Sequence, residues 1–277
     1  MSTAQQFYPA AFDAIADQYD QSFTYSRIGQ AQRAAVWSEL SDSFHAGNRV
    51  LEIGCGTGVD ACFLGKRGVH VTASDSSSQM IAVASRRVQE NGLDQFVSTL
   101  VLPAEELSHL YSKERFDGVF SNFGALNCVE NLHHLSSDLA TLIKPGGVAL
   151  LCLMSSFCAW ETAWYVAHAK TRKAFRRQQR GGVTARLADG ACVRVTYPTV
   201  RALSHAFAPE FTIKSIKGIG VTVPPSYLEP WAQRHPHLLR FCEKMDSVLS
   251  RCPGVRLLAD HVLVKLERVS APAGSTR

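Results

Sequence analysis

Three glycines at alternate positions, Gly54, Gly56 and Gly58, follow the apolar run 50–53 and precede a segment able to start a helix. A turn without Cβ atoms lets backbone amides close on a ligand, and the helix behind it adds the positive end of its dipole. That chemistry suits a ligand with an anionic or polar end. Val59 stands where a G-x-G-x-x-G turn has its last glycine, so the dinucleotide-binding spacing is not met. Two carboxylates accompany the turn. Glu52 lies just before it, and Asp75 closes the next apolar run, where a carboxylate can accept both hydroxyls of a ribose.

The elements that must position these residues alternate along the chain. A strand over 50–53, a helix over 60–66 closed by Gly68 and a strand over 69–74 carry Glu52, the turn and Asp75. Ser76, Ser77 and Ser78 can cap a helix whose apolar face starts at Met80 and Ile81 and runs through Val83, Ala84 and Val88. Asn91-Gly92 ends it. Strands over 97–102 and 116–123 follow, the first leading into Pro103-Ala104-Glu105 and the second ending on Asn122. Leu132, Leu135, Leu139 and Leu142 trace a helix face, stopped by Lys144-Pro145-Gly146-Gly147 before a strand over 148–154. This alternation implies an α/β sheet with its ligand crevice at the strands' carboxyl ends.

Ahead of this core, Phe7, Ala11, Ala14, Ile15 and Tyr19 predict an amphipathic helix over 4–20, and a second helix spans 27–40. Beyond it, 157–177 reads as one long helix, aromatic at Trp160, Trp164 and Tyr165 and then basic. On a continuous helix Trp160, Trp164 and His168 share a face. A hairpin over 184–197 turns at Ala188-Asp189-Gly190; a helix over 200–207, a strand over 211–223, a helix over 238–249 and a strand over 261–266 complete the chain. Residues 270–277 read as a disordered tail.

Taken together, Glu52 with the glycine turn, Asp75-x-Ser77-x-x-Met80-Ile81, the segment 103–107 and Ile143-Lys144-Pro145-Gly146-Gly147 resemble successive motifs of the class I S-adenosylmethionine-dependent methyltransferases. The small-molecule, ubiquinone/menaquinone-methyltransferase-like subgroup is the nearest in pattern. The resemblance implies a Rossmann-like seven-stranded sheet with its last strand antiparallel. It divides the chain into a helical lid (1–48), a cofactor-binding core (49–155), a substrate cap (156–200), the C-terminal part of the core (201–269) and the tail. It also implies S-adenosylmethionine contacts at Tyr19, Glu52, Gly54, Gly56, Asp75, Ser76, Met80, Ala104, Glu105 and Asn122. Pro103 replaces an aspartate that family members direct at the adenine amino group, and Glu105 is the nearest substitute. Asn127 is expected beside Asn122, near the methyl group. The implied reaction is methyl transfer to an O or N atom of a small acceptor, aromatic or anionic. The catalytic base is unassigned among His133, His134, His168 and His205. A non-catalytic S-adenosylmethionine-binding regulator and a nucleotide-dependent oxidoreductase are the rival readings.

Composition limits the alternatives. In 277 residues, 46% hydrophobic and 19% charged, no apolar run reaches the ~18 residues of a membrane span. Eight cysteines without a C-x-x-C pair read as reduced residues of a cytoplasmic protein, with no metal site expected. The net charge of +5 is concentrated between Lys170 and Arg180, without the aromatic-interleaved array of a nucleic-acid binder.

Overall fold

The structure, a computed structural model, describes residues 10–111, 115–179, 181–186 and 192–270. It begins with two four-residue helices, α1 (Ala10–Asp13) and α2 (Ala16–Tyr19), a π-helical turn (Asp20–Thr24) and the long α3 (Arg27–Ser43). β1 (Arg49–Ile53), α4 (Val59–Gly65), β2 (His70–Asp75), α5 (Ser78–Glu90) and β3 (Val97–Val101) form one half of a doubly wound unit. β4 (Phe116–Ser121), α6 (Leu132–Leu142) and β5 (Ile143–Met154) begin the other. After them come α7 (Ala159–Ala167), α8 (Thr171–Ala174), β6 (Val183–Arg186), β7 (Cys192–Val195), α9 (Val200–Phe207) and β8 (Phe211–Ile219). α10 (Glu229–Arg234), α11 (Pro236–Leu249) and β9 (His261–Arg268) end the fold.

Seven strands form one sheet in the order β3-β2-β1-β4-β5-β9-β8, with β6 and β7 a separate pair. β1 to β5 pair in parallel; β9, the last strand, lies antiparallel between β5 and the edge strand β8. This is the expected sheet. Both of its faces are covered, which is why β1 and β5 read as nearly unbroken apolar runs. Alternate residues serve opposite layers: Leu51, Ile53 and Leu151 pack with Leu135 and Leu139 of α6 and Phe207 of α9. Val50 and Leu150 pack with Leu40 of α3, Leu64 of α4 and Val88 of α5. Burying a side chain such as Leu51 or Leu139 contributes about 1.5–3 kcal/mol, so these two layers fix the strand register that sets the site.

Three expected elements differ. The helix over 4–20 is instead α1, α2 and the π turn, and Phe7 lies outside the described residues. The bends let Asp13 and Asp20 reach the core. The helix over 157–177 breaks at Ala169, whose φ of 56° no helix continues through. The strand over 211–223 ends at Ile219, because Asp246 takes the amides of Val221 and Thr222 away from any sheet partner. The hairpin is present as β6 and β7, while its turn at Ala188, Asp189 and Gly190, like the tail beyond Ser270, lies outside the described residues.

Candidate active site

Strand order reverses between β1 and β4, which opens a crevice at their carboxyl ends. The glycine turn lines it. Gly54 and Gly58 have φ of 70° and 74°, and a Cβ there would stand 2.3 Å from the Cβ of Ala125 or 2.8 Å from that of Ala84. Neither position accepts another residue without moving its neighbour. Gly56, by contrast, faces open space, so that side of the turn is left to a ligand.

Asp75 ends β2 opposite the turn. Its Oδ2 accepts the Gly56 amide at 2.8 Å and its Oδ1 the Ser77 amide at 2.9 Å, leaving further lone pairs on both oxygens. Burial raises the Asp75 carboxyl and these amides pull it back. Ser77 Oγ caps α5 by accepting the Met80 amide, and Met80 is buried behind it, with half-buried Ser76 beside Asp75. Ala104 opens the 3-10 turn Ala104–Leu110 directly after Pro103. Glu105 is exposed at this edge, and its charge reaches Cys128, whose thiol is pushed up to about 11, chiefly by burial. Beneath the turn, Glu52 is 1% exposed and its Oε2 has no hydrogen-bond donor. Burial, then the charge of Asp60, holds this carboxyl well above the usual range. An orphaned acceptor beneath the open side of the glycine turn fits a ligand that brings its own donors.

The wall beside β4 is an ionic network. Asp60 accepts from Arg33 Nη1 at 2.5 Å, Trp37 Nε1 at 2.7 Å and Asn122 Nδ2 at 2.8 Å. Arg33 is buried; desolvation opposes its charge, but Asp60 outweighs it and the guanidinium is held above its ordinary value. It also lies 4.9 Å from the ring centre of Phe123. A strap from the N-terminal segment crosses this wall. Asp13 bonds Ser77 Oγ, Asp20 accepts from Thr57 Oγ1 at 2.8 Å and pairs with Arg87, and Phe23 meets Phe123 edge-on at 4.9 Å. Tyr19, on the same strap, feels the charges of Arg33, Asp60 and Asp75, and burial raises its phenol.

The far wall comes from the chain beyond β5. Val193 and Val195 of β7 pack with Tyr197, Phe12 of the strap, Cys128 in the 3-10 turn that follows β4, and Met154 at the end of β5. The β6–β7 pair therefore joins the strap to the crevice rim. Below it Glu161, 1% exposed, is clamped by Arg176 and Arg177, and Arg177 Nη2 reaches Asp260 Oδ1 at 2.7 Å. The adjoining His261 stands edge-on to Phe123 at 5.7 Å, with Nδ1 3.4 Å from Asp260 Oδ2. Burial lowers the His261 pKa, reinforced by Arg177 and only partly opposed by Asp260.

Of the residues expected from sequence, Glu52, Gly54, Gly56, Asp75, Ser76, Ala104 and Asn122 come from the carboxyl ends of β1 to β4, and Tyr19 arrives on the strap. Asn127 serves another purpose. It binds Met154 N and O and Thr196 O, pinning β5 to the chain after β7. His133, His134, His168 and His205 are all exposed on helices or their ends, away from this wall. Trp160 donates to Thr222 O and packs on Trp231, so it seats α7 on the α10–α11 unit. Arg33, Asp20, Phe123 and His261 are additions. Only the R-x-x-x-W spacing of Arg33 and Trp37 hinted at any of them, since those two side chains meet on one helix face.

Comparison with known proteins agrees with this geometry. Residues 50–147 match the family model described as methyltransferase domain. A demethylmenaquinone methyltransferase of Clavibacter sepedonicus is 31% identical over 53% of the chain and 58% of its own length. A ubiquinone biosynthesis O-methyltransferase of Aeromonas salmonicida is 25% identical over 50% of the chain and 57% of its own length. The chain thus spans little more than half the length of these relatives. An S-adenosylmethionine dependent methyltransferase from Mesorhizobium loti superposes with a TM-score of 0.55 at 18% identity, covering 86% of this chain and 98% of that one. The domain match falls on the very strands that build the crevice, so residues 50–147 are similar to a methyltransferase domain, and the relatives that share this part of the chain are themselves named methyltransferases.

Proposed function

We propose that the chain transfers the methyl group of S-adenosylmethionine to an oxygen or nitrogen atom of a small-molecule acceptor, aromatic or anionic, in the cytoplasm. One observation carries this reading: the glycine turn and Asp75 form a cradle at the switch point of the sheet, and the cap strands pack onto its rim through Phe12, Cys128 and Met154. The cofactor's sulfonium supplies an electrophilic methyl, so the chain's residues have to bind, align and exclude water. Gly54 and Gly56 admit the close approach, Asp75 accepts the ribose hydroxyls, and Glu52 and Asn122 lie under the amino-acid end. Ser76, Met80, Ala104 and Glu105 border the adenine side, and Tyr19 closes from above. Alignment of an acceptor against the methyl can lower the barrier by several kcal/mol.

An acceptor hydroxyl also has to lose a proton. His261 fits that task better than the exposed histidines, because burial holds its pKa below the ordinary value, which keeps it neutral at pH 7, and it stands edge-on to Phe123 at the crevice wall. The quinone-pathway relatives support a ring acceptor, and the one named an O-methyltransferase supports oxygen. Titration calorimetry with S-adenosylmethionine, S-adenosylhomocysteine and NAD, followed by a methyl-transfer screen over phenols, carboxylates and amines, tests the proposal. Binding of the first two without NAD, and turnover of one acceptor class, is expected. Tight cofactor binding with no transfer to any of them would return the chain to the class of non-catalytic binders.

A further inference from the structure

α11 carries an apolar row that nothing in the described fold covers. Leu239 and Cys242 point inward onto the cluster of Ile28, Val223 and Leu228, and Asp246 is buried against the 221–223 amides. Away from that face, Leu238, Phe241, Met245 and Val248 follow at steps of three, four and three residues, which aligns them along the helix. Leu238 is 47%, Phe241 58% and Val248 66% exposed. Single exposed apolar side chains are ordinary, but a row of large ones on one helix face marks a surface built for contact.

Charge is sorted about this row. At 100° per residue, His237 and Lys244 fall along one margin with Arg240 just beyond them, and all three are exposed. Glu243, the exposed carboxylate of the helix, falls on the opposite side. Lys170, Arg172 and Lys173, exposed at α8 and its start, add cations on a unit that touches α10 through the Trp160–Trp231 contact. Of the basic run noted in the sequence, Arg176 and Arg177 turn inward, to Glu161.

We propose that α11 docks the protein on an anionic membrane surface, its apolar row entering the boundary between headgroups and acyl chains and its basic margin meeting lipid phosphates. A second copy of the chain is a poorer occupant. Four side chains on one helix fall well short of the roughly 800 Å² that each partner of a standard interface buries, and the basic margin offers a like partner no carboxylate. The proposal does not depend on methyl transfer, and its test needs no acceptor.

The full chain is sedimented with vesicles of phosphatidylcholine, with and without phosphatidylglycerol. At least tenfold stronger partitioning onto the phosphatidylglycerol vesicles is expected, weakening as salt rises. Phe241→Ser with Val248→Ser, and separately Arg240→Gln with Lys244→Gln, should each reduce it by about tenfold or more. All four side chains are exposed, so both variants should keep the parent melting temperature and S-adenosylmethionine affinity. Three results would overturn the idea: no preference for anionic vesicles, partitioning that neither variant changes, or a dimer that Phe241→Ser dissociates, which would make a second copy the occupant.

Discussion

Asp75 holds the glycine turn as well as facing the crevice, since main-chain amides from both sides occupy its two oxygens. Asp75→Asn keeps one acceptor oxygen and removes the charge. It should lower cofactor affinity by about 1–3 kcal/mol, and because its Nδ2 then faces one of the two main-chain amides it should also lower the melting temperature by a few degrees. Calorimetry checks this, and full affinity in a folded variant would withdraw the ribose assignment. His261 makes a different prediction, about pH. Its folded pKa lies below the ordinary value of about 6.5, so between those two values the unfolded chain binds more protons. Its contribution to stability is therefore complete above about pH 6.5 and is lost as pH falls through the folded value. Glu52, raised by burial, acts in the opposite sense at acid pH, so the informative quantity is the difference between parent and His261→Gln at each pH. Urea midpoints should converge as pH drops from 7 toward 5, and parallel curves would show that His261 is not the titrating group.

These residues also show how far sequence reaches. Gly54, Gly56 and Asp75 were legible because their work is done by local geometry, a turn and a strand end, that neighbouring residues dictate. Arg33 and His261 were not, because each acquires its role from a partner far along the chain, Asp60 in one case and Phe123 in the other. Pattern alone cannot tell the buried His261 from the exposed His133.

At the scale of elements, strands and core helices came through, since their apolar periodicity is fixed by the two layers they bury. The connecting helices did not. Periodicity over 4–20 and 157–177 describes which side chains are apolar, whereas the breaks are set by buried charges seeking partners: Asp13 and Asp20 at the core loops, and Glu161 with Arg176 and Arg177. The strap is short and held mainly by polar contacts, which makes it the part most able to open for ligand exchange. Amides across 12–25 should exchange hydrogen measurably more slowly with S-adenosylhomocysteine bound. Asp20→Ala, which releases Thr57 and Arg87, should reduce that protection and weaken binding by about 1–2 kcal/mol. Equal exchange with and without ligand would make the strap a static support.

At the scale of the whole molecule, the question is whether the segment after β5 is an appendage or part of one folding unit. Arg177 argues for the second. Its guanidinium, 6% exposed, is shared among Glu161 on α7, Asp260 ahead of β9 and the backbone oxygens of Ser155 and Asp260. Burial works against this charge, but Asp260 and Glu161 outweigh it and hold the guanidinium well above its ordinary value. Replacing it leaves two buried carboxylates without their shared cation, one of them in the strand connection that carries His261. Arg177→Met should therefore cost about 3–5 kcal/mol and lower the melting temperature by roughly 10 °C. Arg176→Met, at a side chain 38% exposed and bound, among the described residues, to Glu161, should cost no more than about 1 kcal/mol. Calorimetry of the Arg177 variant should show a single transition displaced as a whole, because the tie joins the segment after β5 to the central sheet. A separate early transition, with the main one unmoved, would mean that this segment unfolds on its own and that the sheet can hold the cofactor crevice without it.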